Sequence, residues 1–218
     1  MNKEGAVTRL EDYKYREKLI GQLKSLQHID LYEASTRSHT NHRMFFDKLK
    51  RCKNSIADKT VILLVASNSV DWIIVFIACM LTGKRLYAID AKCSENDIIK
   101  IKKKITPDCI IAEKRIEGKN IYTFDDIYDS SIPPEKSKDG ISELVLFTTG
   151  TTGVPKGVKI SLKNILTVSE SFQRKVRFSR EDHTLLITPF SHVMGFIMMF
   201  NTICYSGHVL WSSFFVTL

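Results

Sequence analysis

The alternation of apolar and polar segments between residues 60 and 112 narrows the possible folds more than any other feature. Residues 60–66 form a continuous apolar run, which is typical of a strand buried on both faces. Asn68 or Ser69 can cap a helix that follows. This helix is expected to run to about Leu81, and Gly83 provides its stop.

The same order of elements then repeats. Residues 85–89 predict a second strand, and residues 109–112 predict a third. Between them, Ser94 followed three residues later by Asp97 indicates the start of a helix through Lys104. Strands that alternate with helices in this way predict an α/β fold with a doubly wound, mostly parallel sheet.

A second constraint lies in residues 148–157, which contain four threonines, three glycines and one lysine. Such a segment buries little apolar surface, so packing does not explain it. Glycines allow backbone N–H groups to turn towards an anion, hydroxyls add donors, and a lysine adds charge. Because residues 143–148 predict a strand before this run and residues 158–160 a strand after it, we expect a polyphosphate-binding loop at a strand end.

The order of residues in this run excludes the common nucleotide-binding loops. A Walker-type loop has its lysine directly after a glycine and a hydroxyl residue directly after the lysine. Here Lys156 lies between Pro155 and Gly157. A Gly-x-Gly-x-x-Gly pattern is also absent from the sequence. A phosphotransferase or nucleotidase of another class is therefore disfavoured.

The string from Phe147 to Val158 instead resembles the phosphate-loop signature of the adenylate-forming superfamily. That superfamily includes acyl-CoA and aryl-CoA synthetases and the adenylation domains of peptide synthetases. Its usual form is Thr-Ser-Gly-Thr-Thr-Gly-x-Pro-Lys-Gly-Val, and Thr149 replaces the usual serine while keeping a hydroxyl. The competing interpretation, a Gly/Thr-rich surface turn, is typical of shorter strings. The resemblance covers about residues 36–218 and is specific after Ser142.

The resemblance implies ATP-dependent activation of a carboxylic acid as an acyl-adenylate, followed by thioester formation with CoA. It assigns a catalytic role to Lys156, on the β- and γ-phosphates. Mg²⁺ is expected on the phosphates, but the sequence shows no convincing protein ligand for it. The residues expected to bind ATP are Thr148, Thr149, Gly150, Thr151, Thr152, Gly153, Lys156 and Gly157.

A second motif, Pro189-Phe-Ser-His-Val-Met-Gly195, is similar to the superfamily's Pro-x-Phe-His-x-x-Gly. The resemblance makes His192 a catalytic candidate that borders the acyl pocket, and it favours acyl- or aryl-CoA ligases over peptide-synthetase domains. Ser191 occupies the usual aromatic position and Phe190 precedes it. For a lone histidine, helix capping or a loop position is the alternative interpretation.

Nearby apolar residues have two interpretations as well. They could line an acyl pocket, but as a group they fit a hydrophobic core better. These residues are Met194, Phe196, Met198 and Met199.

Composition and charge exclude several other classes. The net charge is +8, but the densest lysines, in residues 100–104, interleave with isoleucines at helical spacing, which indicates a solvated helix face rather than a nucleic-acid site. The apolar stretch at residues 72–81 is too short to span a membrane. Five scattered cysteines lack metal-ligand spacing, which favours reduced thiols and a cytoplasmic protein.

The sequence also suggests how the chain is divided. We expect residues 1–35 to be a helical lead-in and residues 36–218 to be the first part of the large domain of an adenylate-forming enzyme. The family's adenine, ribose, magnesium and C-terminal lysine motifs are not found, so the chain is expected to be an incomplete portion, inactive alone. Two alternatives remain: a non-catalytic nucleotide-binding or interaction module, and a fragment of an amino-acid adenylation domain. The expected partners are a small carboxylic acid, ATP, and CoA or a carrier protein.

Overall fold

A computed structural model describes residues 3–26, 28–34, 36–129, 138–148 and 156–211. The helices are α1 (Lys3–Ser25), α2 (His42–Ser55), α3 (Val70–Leu81), α4 (Glu95–Ile105), α5 (Phe124–Tyr128), α6 (Leu162–Val176) and α7 (Val193–Asn201). The strands are β1 (Asp30–Glu33), β2 (Ser38–Asn41), β3 (Val61–Val65), β4 (Arg85–Ile89), β5 (Cys109–Ala112), β6 (Ile121–Thr123), β7 (Glu143–Thr148), β8 (Lys156–Ser161), β9 (Thr184–Leu186) and β10 (His208–Trp211).

The predicted alternation forms a six-stranded sheet with the strand order β6-β5-β3-β4-β7-β8. Neighbouring strands are parallel from β6 to β7, and β8 is the antiparallel edge strand beside β7. The chain moves from β3 to β4 on one side and then returns to β5 on the other side of β3. The expected α/β fold with a doubly wound, mostly parallel sheet is confirmed.

Helices cover both faces of this sheet, and β3 shows why its sequence is apolar throughout. Ile62 and Leu64 belong to the large core that includes α2 and α3. Leu63 and Val65 belong to a smaller core on the opposite face, together with Ile101 of α4. Because successive side chains of a strand point to opposite faces, both sets are buried.

A second, four-stranded sheet has the order β2-β1-β10-β9. In the sequence, residues 185–188 and 209–213 predict two further strands, and the described strands at these places are Thr184–Leu186 and His208–Trp211. The sequence did not predict β1 or β2, which are short and largely polar. β1 is parallel to β10, so this sheet joins the first part of the chain to its later part.

Helix α1 packs on the protein through a few apolar side chains and one buried ion pair. Leu19 and Leu23 lie in the large core. Arg16 Nε donates to Asp12 Oδ2 at 2.7 Å and to Ser142 Oγ at 3.0 Å. The N–H of Ser142 donates to the Asp12 carboxylate, and its carbonyl accepts from the N–H of Leu162. Helix α1 therefore contacts the base of the β7–β8 hairpin, where β7 begins and α6 follows β8.

The side chains of Ser69, Ser94 and Ser161 accept hydrogen bonds from backbone N–H groups of α3, α4 and α6. The helix starts predicted at Ser69 and Ser94 therefore have the expected caps. The apolar residues 193–205 predict one helix by their sequence, but α7 ends at Asn201 and continues as a π-helical turn, Thr202–Ser206. Within the described ranges, the helices are too short or too polar to cross a lipid bilayer.

Candidate functional site

The Gly/Thr-rich run connects the two strands of the β7–β8 hairpin. Thr148, the last residue of β7, pairs with Lys156, the first residue of β8, and Phe147 pairs with Gly157. The sequence-predicted ligands at residues 149–153, together with Val154 and Pro155, lie outside the described residues. The run thus starts and ends at two backbone positions that face each other across one ladder.

This hairpin places the run at the carboxyl edge of the six-stranded sheet. β7 is parallel to β4, and β4 is parallel to β3, so the three strands end at the same edge. Ligands of open α/β sheets bind outside the carboxyl ends of strands. The geometry of the described residues is therefore compatible with the predicted polyphosphate loop.

Gly157 is required by close packing rather than by a turn. It does not have a positive φ angle, and it lies within the extended strand β8. A Cβ atom at this position would lie 2.9 Å from Val145 Cγ1 and 3.4 Å from Phe147 Cε1. The Phe147 ring in turn lies 6.1 Å from the ring of Tyr87 on β4. The glycine lets β8 lie flat against these two β7 side chains.

Solvent exposure distinguishes the candidate ligands of β8 and α6 from the core residues of these two elements. Lys156 is exposed at the start of β8. Leu162, the first residue of α6, is fully buried in the large core. Leu162 is therefore a packing residue and not a candidate ligand.

The second motif forms the loop before α7, and His192 is the N-cap residue of that helix. Its side chain makes no capping hydrogen bond and is exposed. The His192 side chain therefore does not cap α7, and a loop position without ligand contact stays the alternative interpretation. Phe190 is fully buried, with its ring 5.5 Å from Trp72 in an edge contact. Phe190 is therefore a core residue and does not replace the usual aromatic residue at position 191.

The methionines and phenylalanine of α7 divide as the sequence suggested. Phe196 and Met199 are buried in the large core, and Met198 packs against it. Met194 is 59% exposed and Val193 is 67% exposed. The first turn of α7 consequently presents His192 and two apolar side chains to solvent.

Asn68 connects the His192 loop to the six-stranded sheet. Its Nδ2 donates to the carbonyl of Thr188 at 2.9 Å, and its Oδ1 accepts from the N–H of Phe190 at 2.7 Å. Asn68 follows β3, so these bonds place the His192 loop at the carboxyl edge where β7 ends. β3 and β7 are separated by β4 alone, which corresponds to about 10 Å across the sheet. The structure thus brings the His192 loop and the two residues that flank the Gly/Thr-rich run, Thr148 and Lys156, to one edge.

The role of Asn68 was missed by sequence reasoning. The sequence allowed Asn68 or Ser69 as the cap of α3, and Ser69 is the cap, since its side chain accepts from the N–H of Trp72 at 3.0 Å. The amide of Asn68 is consequently available for the loop 120 residues later. An asparagine beside an adequate cap residue is the only local signal of this role.

A cavity of about 660 Å³, also not predicted, lies at the ends of β3 and β5. Its lining mixes Lys114 and Arg115 with Glu113 and Glu117, so its charges do not select one ligand. Burial, with help from nearby carboxylates, raises the pKa of the Cys93 thiol in this lining. That thiol is therefore neutral at physiological pH. Among the described residues, no group of three or more His, Cys, Asp or Glu side chains could hold a metal ion.

The proteins that are similar in sequence match this chain over only part of their own length. D-alanine–D-alanyl carrier protein ligase of Streptococcus pyogenes serotype M5 (strain Manfredo) is 25% identical over 186 residues, which make up 76% of this chain and 36% of that protein. Proteins of the same description from other serotypes of that species match equally. The chain therefore spans about a third of the length of these curated relatives.

Solved structures share the fold. The N-terminal domain of FACL13 from Mycobacterium tuberculosis superposes with a TM-score of 0.74 at 17% identity, over 91% of this chain and 56% of that chain. O-succinylbenzoate coenzyme A synthetase (MenE) from Bacillus subtilis in complex with AMP gives a TM-score of 0.73 at 18% identity, over 89% of this chain and 54% of that chain.

The family match spans both motifs. The family described as AMP-binding enzyme matches residues 51–214, from within α2 to beyond β10. This span contains the β7–β8 hairpin, the His192 loop and Asn68. The chain belongs to the AMP-binding enzyme family.

Proposed function

We propose that this protein takes part in the ATP-dependent activation of a carboxylic acid as an acyl-adenylate. The observation that carries this proposal is the placement of two motifs at one sheet edge. The Gly/Thr-rich run lies between Thr148 and Lys156 at the carboxyl edge, and Asn68 ties the His192 loop to the same edge. Family membership supports the same conclusion.

In the proposed reaction, a carboxylate oxygen of the acid attacks the α-phosphorus of ATP. The bond from that phosphorus to the bridging oxygen breaks, and pyrophosphate leaves. Negative charge spreads over phosphate oxygens in the transition state, so positioned donors and cations supply most of the stabilisation. Mg²⁺ bound to the phosphates would neutralise part of this charge.

The residues of the hairpin would hold the triphosphate. Lys156, exposed where β8 begins, would pair with the β- and γ-phosphates. The backbone N–H groups of Gly150 and Gly153 would donate to phosphate oxygens. The remaining donors are the hydroxyls of Thr148, Thr149, Thr151 and Thr152.

His192 would lie on the acid side of the site. It is exposed at the N-terminus of α7, beside the exposed side chains of Val193 and Met194. An exposed imidazole next to two apolar side chains suits a substrate with a carboxylate head and an apolar body. We therefore assign His192 to the carboxylate and the first turn of α7 to the adjacent part of the acid.

A thiol would receive the acyl group in the following step. Attack of the thiol sulfur on the acyl carbon would form a thioester and release AMP. The His192 motif favours CoA as the thiol, because its pattern is similar to that of acyl- and aryl-CoA ligases. A carrier protein is the second candidate, since the curated relatives are named as ligases of a carrier protein.

Acid-dependent exchange of labelled pyrophosphate into ATP tests the activation step. In a full-length enzyme that contains this chain, assayed with a panel of carboxylic acids, Lys156→Ala is expected to lower the exchange rate by about 100- to 1000-fold, the usual effect of removing one donor to transition-state charge. Lys159→Ala is the matched control, because Lys159 is also an exposed lysine of β8 and is three residues further from the run. Equal rates for Lys156→Ala and the unchanged protein would refute the role of Lys156.

Calorimetric titration with ATP separates activation from simple binding. Binding of ATP without exchange for any acid would favour a nucleotide-binding module. Activity that depends on an amino acid as the acid would favour the adenylation alternative. Addition of CoA or a carrier protein, with detection of the thioester, then identifies the acceptor.

A further inference from the structure

We infer that Asn68 is a positioning residue that sets the place of His192 relative to the phosphate-binding hairpin. This inference rests on the proposed function and assigns to its site a residue outside both sequence motifs. Its basis is one amide that hydrogen-bonds to two backbone groups of the His192 loop, 120 and 122 residues away in sequence.

The amide of Asn68 fixes the loop at two positions that flank Pro189. Its Nδ2 donates to the carbonyl before this proline, and its Oδ1 accepts from the N–H after it. A primary amide has a donor and an acceptor side by side, so it can satisfy both groups at once. The two hydrogen bonds thereby hold the loop at residues 188–190 against the β3–α3 connection.

The restraint continues through the backbone to His192. The carbonyl of Pro189 accepts from the N–H of His192 at 3.0 Å, and the carbonyl of His192 accepts from the N–H of Phe196 at 2.8 Å. Gly195 allows the tight turn, because a Cβ atom there would lie 2.2 Å from the carbonyl oxygen of Pro189. The start of α7 is thus fixed relative to the residues that Asn68 holds.

Apolar contacts also hold the His192 loop in place, next to the two hydrogen bonds from Asn68, which we call the clamp. Trp72, in the first turn of α3, meets Phe190 at 5.5 Å and Phe196 at 6.4 Å between ring centroids. The segment from Asn68 to Trp72 therefore contacts the His192 loop through both a polar and an apolar group. The apolar contacts bury the loop, and the amide selects one orientation of its backbone.

Charge explains why an amide suits this position better than a carboxylate. An aspartate could accept from the N–H of Phe190 but would bring a second acceptor against the carbonyl of Thr188. It would also place a negative charge at the sheet edge where the phosphates are proposed to bind, about two strands from β7. The lost donor would change the position of the His192 loop, and the added charge would change the electrostatic potential at the phosphate site. Neither change would alter the packing of the hydrophobic core.

The test compares Asn68→Asp with Ser69→Ala in the same protein. Asn68→Asp keeps the size of the side chain and removes the donor. Ser69→Ala removes the α3 cap one residue away, which lowers stability without removing either hydrogen bond from Asn68 to the loop. Asn68→Ala is a third variant that removes the clamp without adding charge.

Two measurements report on position. The imidazole resonance of His192 is identified in a spectrum of ¹³C-histidine protein as the signal missing from His192→Gln. We expect it to shift in Asn68→Asp and Asn68→Ala and to stay in place in Ser69→Ala. Pyrophosphate exchange is expected to fall by about 10- to 100-fold in both Asn68 variants, because small displacements of a catalytic group have effects of this size. The KM for ATP is expected to be unchanged in Asn68→Ala.

Two results would overturn the inference. One is an unchanged His192 resonance in both Asn68 variants, and the other is an equal shift in Ser69→Ala. The resonance also separates this inference from the proposed function. If a full-length enzyme that contains the unchanged chain exchanges no pyrophosphate with any acid, the proposed function fails, while spectra of the chain itself still decide whether Asn68 positions His192.

Discussion

The two edges of the six-stranded sheet are held by different kinds of interaction. At the amino edge, the Asp12–Arg16 pair binds Ser142, and Arg85 pairs with Glu143 at 2.5 Å. At the carboxyl edge, the His192 loop is held by the neutral amide of Asn68 and by the close approach of Gly195 to the backbone of Pro189. The links between strand starts at the amino edge are therefore charged, and the links to the His192 loop are neutral.

This difference suggests that one end of the sheet mainly anchors the strands, whereas the other end is suited to binding phosphate. Carboxylates next to a triphosphate would repel it and would raise the free energy of the bound state. Charged anchors at the amino edge can hold the strands in register without this cost. Neutral anchors for the His192 loop add no negative charge to the edge where the phosphates are proposed to bind.

The largest effect is expected from Arg16→Met at the amino edge. The substitution leaves the buried Asp12 carboxylate without its partner, so we expect the free energy of unfolding to fall by about 3–5 kcal/mol. Urea unfolding followed by circular dichroism measures the change. Lys18→Met is the control on the same helix, because Lys18 pairs with Glu170 near solvent and should cost less than about 1 kcal/mol. Similar losses in the two variants would contradict the comparison.

At the carboxyl edge, Gly195→Ala is expected to cost about 1–3 kcal/mol, since the new methyl group would collide with the backbone of Pro189. The matched control is Gly21→Ala in α1, where a Cβ atom would meet nothing within 4 Å. That control should gain about 0.5–1 kcal/mol, because alanine replaces glycine within a helix. A stable Gly195→Ala protein would show that the loop at residues 188–190 can move.

Asp108 at the amino edge gives a smaller, pH-dependent effect. Partial burial opposes ionisation, but hydrogen bonds from the hydroxyl and N–H of Thr60 and from the N–H of Val61 hold the pKa of Asp108 below its usual range. A carboxylate with a lowered pKa stabilises the fold fully above its unfolded pKa of about 3.9, and this contribution disappears as the pH falls through the lower folded value.

We therefore expect Asp108→Asn to lose about 1–2 kcal/mol at pH 7, and the difference from the unchanged protein to shrink towards pH 3. Urea unfolding at the two pH values measures both quantities. A difference that stays constant across this range would mean that the charge of Asp108 is not the stabilising feature.

The smallest effect is expected from Glu113→Gln at the carboxyl edge. Glu113 is exposed and accepts one hydrogen bond, from the N–H of Ser67 at 2.8 Å. An exposed contact of this kind should change the free energy of unfolding by about 0.5 kcal/mol or less. A loss as large as that of Asp108→Asn would show that the carboxyl edge also depends on charge.

Local sequence signals predicted the first sheet well. β3, β4 and β5 are apolar runs separated by capped helices, and the cap residues Ser69 and Ser94 act as expected. The position of the Gly/Thr-rich run at a strand end followed from the same pattern. These features depend on neighbours within a few residues, which a sequence displays directly.

The unpredicted parts depend on distant partners. β1 and β2 are four residues each and mostly polar, and their pairing becomes visible only when residues 208–211 lie beside them. Similarly, Asn68 acts on backbone atoms about 120 residues later, and any sequence at those positions supplies the same groups except at proline. A side chain that hydrogen-bonds to backbone groups therefore places almost no requirement on the residue types it contacts, so the contact cannot be recognised from the sequence.

The pairing of β1 with β10 has a consequence for the order of folding. Asp30 faces His208 in this parallel ladder, whereas β3, β4 and β5 follow one another closely in the chain. Closing a long loop has a large entropic cost before its contacts form, so local pairs form first. On the ribosome, the six-stranded sheet can assemble while β1 is paired with β2 on one side only and its other edge still lacks β10. Until residues 208–211 emerge, that open edge can pair with another chain, which is the kind of hazard that chaperones limit.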